Sequence, residues 1–144
     1  MILANGLLKF SRRANHPICL LYIDMDSLKQ INDNFGHAHG DTALTHFAHI
    51  LTKTFRDSDV IARMGGDEFA VLTIDTTESS LDVFQARLQN NLDTHNLEAG
   101  RNYVLSFSMG IIRVDLSSTF TVEDLLAQAD EAMYAHKKRR KRKV

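Results

Sequence analysis

Cysteine and proline each occur once in this chain of 144 residues, tryptophan not at all. No apolar run approaches the roughly 20 residues needed to cross a bilayer. A lone cysteine, Cys19, cannot close an internal disulfide. In an apolar, strand-like run it reads as a small buried hydrophobe of a reducing compartment. The lone proline, Pro17, follows His16 and closes the first helical pattern, because proline cannot continue a helix and its predecessor prefers extended geometry. No low-complexity linker and no internal repeat divides the chain, so residues 1–144 are expected to form one domain, long enough to bury a real core. The first six residues are apolar at the start but lack a basic stretch and a cleavage site, so no signal peptide is expected. The chain starts inside a helical pattern with no N-cap, as a fragment of a longer multidomain protein would.

The apolar share of 44% and the charged share of 24% are ordinary for a globular protein. The net charge of −1 hides an asymmetry: residues 137–143 supply seven of 17 basic side chains, leaving ten against 18 acidic ones elsewhere. So acidic a body is a poor general binder of nucleic acid, since phosphate affinity rests on clustered cations. The basic run reads as the solvated, frayed end of a helix.

Hydrophobic spacing supplies the elements. Residues 2–15 read as a helix with Leu3, Leu7 and Leu8 on one face. Residues 18–23 form a near-continuous apolar run, as in a strand covered on both faces, ending at Asp24-Met25-Asp26. Residues 28–35 read as a short helix closed by Gly36. Gly40-Asp41 opens the next, whose face is Leu44, Phe47, Ala48, Leu51 and Phe55. Two strand-like runs flank Gly65-Gly66, predicting a hairpin whose turn needs positive φ. A polar stretch over 75–80 leads into a helix with Leu81, Phe84, Leu88 and Leu92 in register. Residues 96–102 read as a loop and 103–114 as a strand, with Gly110 marking a bulge or a close approach. Thr121 and Asp124 predict a capping box for the last helix, whose face is Val122, Leu125, Leu126, Ala129 and Met133. The order αβααββαβα predicts an α/β fold, a mixed and largely antiparallel sheet with helices packed around it.

The chemistry concentrates in two acidic sites, Asp24 and Asp26 at the end of a core strand and Asp67 and Glu68 past the hairpin turn. If these strands pair side by side, about 5 Å apart, their carboxylates converge and repel unless a cation joins them. Oxygen ligands without cysteine or histidine favour Mg²⁺, which takes one or two carboxylates plus substrate phosphates. Such a site suits phosphoryl transfer. Singly, each residue has a plainer reading. Asp41 would cap its helix, Asn32 would be solvated, and Asp26 would bind Lys29 three residues on. His46 and His49 share a helix without further ligand spacing, which favours surface histidines over zinc.

Taken together, the runs Tyr22-Ile23-Asp24-Met25-Asp26-Ser27-Leu28-Lys29-Gln30-Ile31-Asn32-Asp33-Asn34-Phe35-Gly36-His37, Gly40-Asp41 and Arg63-Met64-Gly65-Gly66-Asp67-Glu68-Phe69 closely resemble the GGDEF family of diguanylate cyclases. The resemblance continues through Ser106-Phe107-Ser108-Met109-Gly110 and from Ala129 to Lys137. It implies a fold akin to nucleotidyl cyclases and polymerase palms, in a bacterial signalling protein that condenses two GTP into cyclic di-GMP and releases pyrophosphate. One GTP is held by each domain of a homodimer. The resemblance implies that Asp24 and Asp67, with the Met25 carbonyl and Glu68, bind Mg²⁺ or Mn²⁺, and that Asp67 or Glu68 helps deprotonate the ribose 3′-hydroxyl. Asn32 and Asp41 would read guanine with His37 beside them, and Lys29 and Lys137 would hold the triphosphate. Gly65 and Gly66 would let the backbone approach phosphate. Arg56 and Asp59, an Arg-x-x-Asp ahead of the hairpin, would form an inhibitory site for the product. Neither nucleic acid nor a membrane segment is implied, and the location would be cytoplasmic even where the parent protein is membrane-anchored. The family's usual opening Leu-Thr-Gly-Leu segment is absent, and an aromatic is frequent where Leu28 stands. The alternative is a catalytically silent domain of the same fold that senses GTP or cyclic di-GMP.

Overall fold

The computed structural model describes residues 18–74, 81–98, 103–114 and 121–142. The helix expected over 2–15 and the polar stretch 75–80 lie outside them. Strand β1, Ile18–Met25, is followed by helices α1, Leu28–Phe35, and α2, His37–Thr54. Strands β2, Val60–Arg63, and β3, Glu68–Ile74, make the hairpin, and helix α3, Leu81–Glu98, strand β4, Phe107–Val114, and helix α4, Val122–Arg142, complete the order. The sheet runs β2-β3-β1-β4, every pair antiparallel. β1 is central, which is why all eight of its residues are buried and why its sequence reads as a continuous apolar run.

Alternation along β1 divides the core. Cys19, Leu21, Ile23 and Met25 pack with Phe47, Leu51, Leu88, Leu92 and Met109 beneath α1, α2 and α3. Ile18, Leu20 and Tyr22 pack on the other face with Ala70, Leu72, Leu125, Ala129 and Met133 of α4. Gly110 is a close approach rather than a bulge: a Cβ there would collide with the α4 backbone at Ala129 and Met133. The capping box forms as predicted. Asp124 N–H donates to Thr121 Oγ1 at 3.1 Å and Thr121 N–H to Asp124 Oδ2 at 3.2 Å.

Three boundaries differ from the sequence pattern. α2 begins at His37 rather than Gly40, because Gly36, at φ 93°, ends α1 and starts α2 in a single residue. This places Asp41 in the second turn of α2 and removes its plainer reading as a cap. α3 runs through residues 96–98, which the sequence pattern assigned to a loop, and β4 begins at Phe107 instead of 103. Among the described residues the one glycine at positive φ is Gly36, so the hairpin does not turn through left-handed glycines. A longer connection, residues 64–67, carries the chain round. Met64 N–H donates to the Glu68 carbonyl at 2.8 Å, and Arg63 donates to the carbonyls of Gly65 at 3.0 Å and Gly66 at 2.8 Å.

Candidate active site

The pairing of β1 with β3 sets Asp24 opposite Glu68, and its pairing with β4 sets Asp24 opposite Ser108. All three lie at one end of the sheet on the α4 face. Asp24 is therefore inside the strand and 6% exposed rather than past its end. Asp67 is drawn beside it because Met25 N–H donates to the Asp67 carbonyl at 2.9 Å.

Lys137 reaches in from the last turns of α4. Its Nζ donates to Asp24 Oδ2 at 2.9 Å and lies 3.4 Å from Asp26 Oδ1. Asp26 Oδ2 accepts from Ser108 Oγ at 2.7 Å; the pairing of Asp26 with Lys29 is not what forms. Tyr22 Oη donates to Glu68 Oε2 at 2.7 Å. Tyr22 and Ser108 are missed by sequence reasoning. The available signal is parity: Tyr22 and Asp24 are two residues apart on a strand and so share a face.

The electrostatics follow from this crowding. Burial, then the Asp24 charge and a hydrogen bond to Asp24, push the Asp67 carboxyl up to about 6. The Lys137 ammonium is pushed up, chiefly by its hydrogen bond to Asp24. Burial, followed by the bond to Glu68, pushes the Tyr22 hydroxyl well above its ordinary range. Among the described residues no three acidic, histidine or cysteine side chains already converge as a ready metal cluster. The donor set nevertheless fits a hard cation. Asp24 Oδ1 is buried without a hydrogen-bond donor, Asp67 resists ionising beside it, and a positive group, Lys137, already sits against Asp24 and Asp26. A cation that draws its remaining ligands from phosphate and water needs only one or two carboxylates.

The other predicted residues form separate groups. Asn32 Oδ1 is buried without a donor and faces Gly40, where any Cβ would strike it. Lys29, His37 and Asp41 are exposed on α1 and α2, and among the described residues none of them, nor Asn32, touches Asp24, Asp67 or Glu68. Gly65 and Gly66 are exposed. A Cβ at Gly66 would meet nothing within 4 Å, and one at Gly65 would lie 3.6 Å from Glu68 Oε2. Arg56 and Asp59 share a turn before β2: Asp59 Oδ2 accepts the Arg56 N–H at 2.8 Å, and the Arg56 carbonyl accepts the Asp59 N–H at 2.9 Å. His46 is a half-buried residue whose ring lies 4.9 Å from that of His95 on α3.

An antiparallel sheet flanked by helices, with carboxylates from a core strand and a neighbouring hairpin gathered at one end, defines an α/β domain with an acidic site at that end of its sheet. The chain belongs to the GGDEF family: the family model described as "Diguanylate cyclase, GGDEF domain" matches residues 2–143. It is 34% identical over 137 residues to diguanylate cyclase DgcP of Escherichia coli, covering 94% of this chain and 40% of that protein. To the probable diguanylate cyclase DgcC of the same organism it is 38% identical, covering 88% of this chain and 34% of that protein. It thus spans less than half the length of either relative. A truncated TpbB (YfiN) of Pseudomonas aeruginosa comprising only the GGDEF domain superposes with a TM-score of 0.78 at 34% identity, covering 92% of this chain and 77% of that one. No helix among the described residues is long and apolar enough to cross a membrane.

Proposed function

We propose that this chain is the diguanylate cyclase unit of a longer protein, joining two GTP molecules into cyclic di-GMP. The observation that carries this reading is the shared corner of Asp24, Asp67 and Lys137, two carboxylates and an ammonium beside an open glycine tip. In each condensation a ribose 3′-oxygen bonds to the α-phosphorus of the facing GTP, the bond from that phosphorus to the bridging oxygen breaks, and pyrophosphate leaves. Two such steps close the ring, which is why two copies of the domain would face each other as a homodimer.

Asp24 and Asp67, with Glu68 and the Met25 carbonyl, would hold Mg²⁺ or Mn²⁺. Bound there, the ion would lower the pKa of the attacking hydroxyl and neutralise charge developing on the phosphate. Asp67 or Glu68 accepts the 3′-hydroxyl proton. Lys137 turns from the carboxylates to the triphosphate, a point charge on a flexible stem being suited to either, and Lys29 meets the triphosphate from α1. Gly65 and Gly66 leave room for phosphate. Asn32 and Asp41 meet the guanine edge with His37 beside them, an amide and a carboxylate matching its acceptors and donors. Arg56 and Asp59 bind the product and slow the enzyme. As a signalling domain using GTP, it works in the cytoplasm.

The test is incubation of the dimerised or full-length protein with GTP and Mg²⁺, with the nucleotides separated by chromatography. Cyclic di-GMP and pyrophosphate are expected. Tight GTP binding without product would replace the enzyme reading with that of a nucleotide sensor.

A further inference from the structure

The apolar stripe of α4 does not stop at Met133. One turn on, at the spacing that would continue it, stands His136, 6% exposed and the last buried residue described on the helix. Its Nδ1 accepts the Met109 N–H at 3.0 Å. Among the described residues β4 is the last strand of the sheet, so this donor is on the strand's outer edge, where none of the described strands receives it. The other ring nitrogen, Nε2, lies 3.0 Å from the Gln85 side-chain amide on α3. With Nδ1 accepting, Nε2 carries the ring proton in the neutral tautomer, which assigns the Gln85 amide oxygen as its acceptor. One imidazole thus ties together α4, the edge of β4, and a helix from the opposite face of the sheet.

Beyond Lys137 the described side chains, Lys138 and Arg139, are exposed. Lys137, Lys138, Arg139, Arg140, Lys141 and Arg142 follow in succession, and like charges three and four residues apart destabilise a helix. A terminus without buried contacts frays. Yet Lys137, the first residue of that run, must hold its ammonium 2.9 Å from Asp24. A lysine side chain gives up about 2 kcal/mol of rotamer freedom when it is fixed, so its backbone has to be set in place by something else.

We propose that His136 is a positioning residue for Lys137: by pinning the last turns of α4 to the β4 edge, it sets where the ammonium stands at the carboxylates and where it meets the triphosphate. The nucleotide half of this inference rests on the function proposed above; the half concerning the ammonium does not. The test therefore has two readouts, crystal structures of the variants and their affinity for Mg²⁺ with a non-hydrolysable GTP analogue. His136→Leu keeps the buried volume without the acceptor. It is expected to lose the contact between Lys137 and Asp24 and to bind the analogue about tenfold more weakly. His136→Asn, whose Oδ1 replaces the acceptor Nδ1, is expected to retain the contact and most of the affinity. In a Lys137→Ala background, His136→Leu is expected to cost nothing further, since the effect runs through that lysine.

An unchanged contact in His136→Leu overturns the inference. So does the same affinity loss with and without Lys137, which would mark a merely structural role. Should His136→Leu not fold, Gln85→Ala weakens the same tie from outside the core. An affinity loss of about threefold is expected from it, absent in the Lys137→Ala background, and equal losses in both backgrounds overturn the inference. A wild-type protein that binds no analogue would refute the cyclase reading while the crystallographic contact still decides this one.

Discussion

The two faces of the sheet are cut from the same strands and serve opposite ends. Odd-numbered residues of β1, from Cys19 to Met25, enter a mainly apolar face roofed by three helices, on which Thr73, opposite Cys19, is a buried polar residue. The even-numbered residues start apolar at Ile18 and Leu20, pass through Tyr22, and finish on the carboxylate of Asp24. That face is covered by α4, with Gly110 letting the helix close in at one point and Lys137 answering the charge where the apolar packing ends. Burying a carboxylate under a complete roof would cost several kcal/mol without a partner. The difference teaches that the acidic site exists where the packing runs out. Stability and chemistry can therefore be altered separately.

The largest expected separation is Asp67→Ala. If Asp67 holds the metal or takes the proton, cyclic di-GMP formation falls by about 10²–10³-fold, while the thermal midpoint of the metal-free protein is unchanged or higher. Parallel loss of activity and midpoint would contradict a division between the faces. Leu21→Ala is the opposite experiment. It empties a fully buried site on the three-helix face, at about 3 kcal/mol in denaturant unfolding, with the KM for GTP unchanged at temperatures where the protein stays folded.

Gly110→Ala probes where the faces meet their roofs. One methyl against the α4 backbone is overpacking, expected to cost about 1–3 kcal/mol and, by lifting the helix that carries Lys137, to raise the KM for GTP as well. A stability loss with an unchanged KM would mean that helix and site are not mechanically linked.

The smallest effect is that of pH. Asp67 has its carboxyl raised from 3.8 to about 6 in the folded protein, so the fold favours its protonated form. That contribution is fully present below about pH 4 and is lost as pH rises through 6. Asp67 is half-exposed, and solvent screening reduces the contribution to about 1 kcal/mol. Urea unfolding with EDTA at pH 4.5 and pH 7 should show the wild type losing stability relative to Asp67→Asn as pH rises, and added Mg²⁺ should restore it at pH 7. An identical pH response in both proteins would refute the crowding of Asp67 by Asp24.

Much of this was legible in the chain itself. An unbroken apolar run ending in carboxylates reads as a covered strand, as β1 is, and Thr121 with Asp124 announced its own cap. The misreadings share a cause, which is that local composition does not reveal tertiary partners. The glycine pair at the hairpin suggested left-handed turns, whereas Arg63 holds a longer connection by its carbonyls and the left-handed residue is Gly36. Residues 96–98 read as part of a loop, yet Asn96 has a use in the helix, bonding both the N–H and the carbonyl of Leu105. Tyr22 and His136 were overlooked because each is polar on an otherwise apolar stripe. What singles such residues out is the partner they reach, and that partner is 46 residues away for Tyr22 and 27 or 51 for His136.

The facing of Asp24 and Glu68 across β1 and β3 has a consequence for how the chain finds its fold. Side chains on a strand alternate, so a slip of one residue exchanges the two faces. Here it would drive the Asp24 carboxylate into the apolar layer against Phe47 and Leu51 and bring Ile23 out beside Lys137. Any mispaired sheet would thus be penalised by the same charge that the finished domain puts to use. The acidic pair is in this sense a proofreading mark for assembly: a molecule that has folded stably has, by that fact, already aligned the two carboxylates.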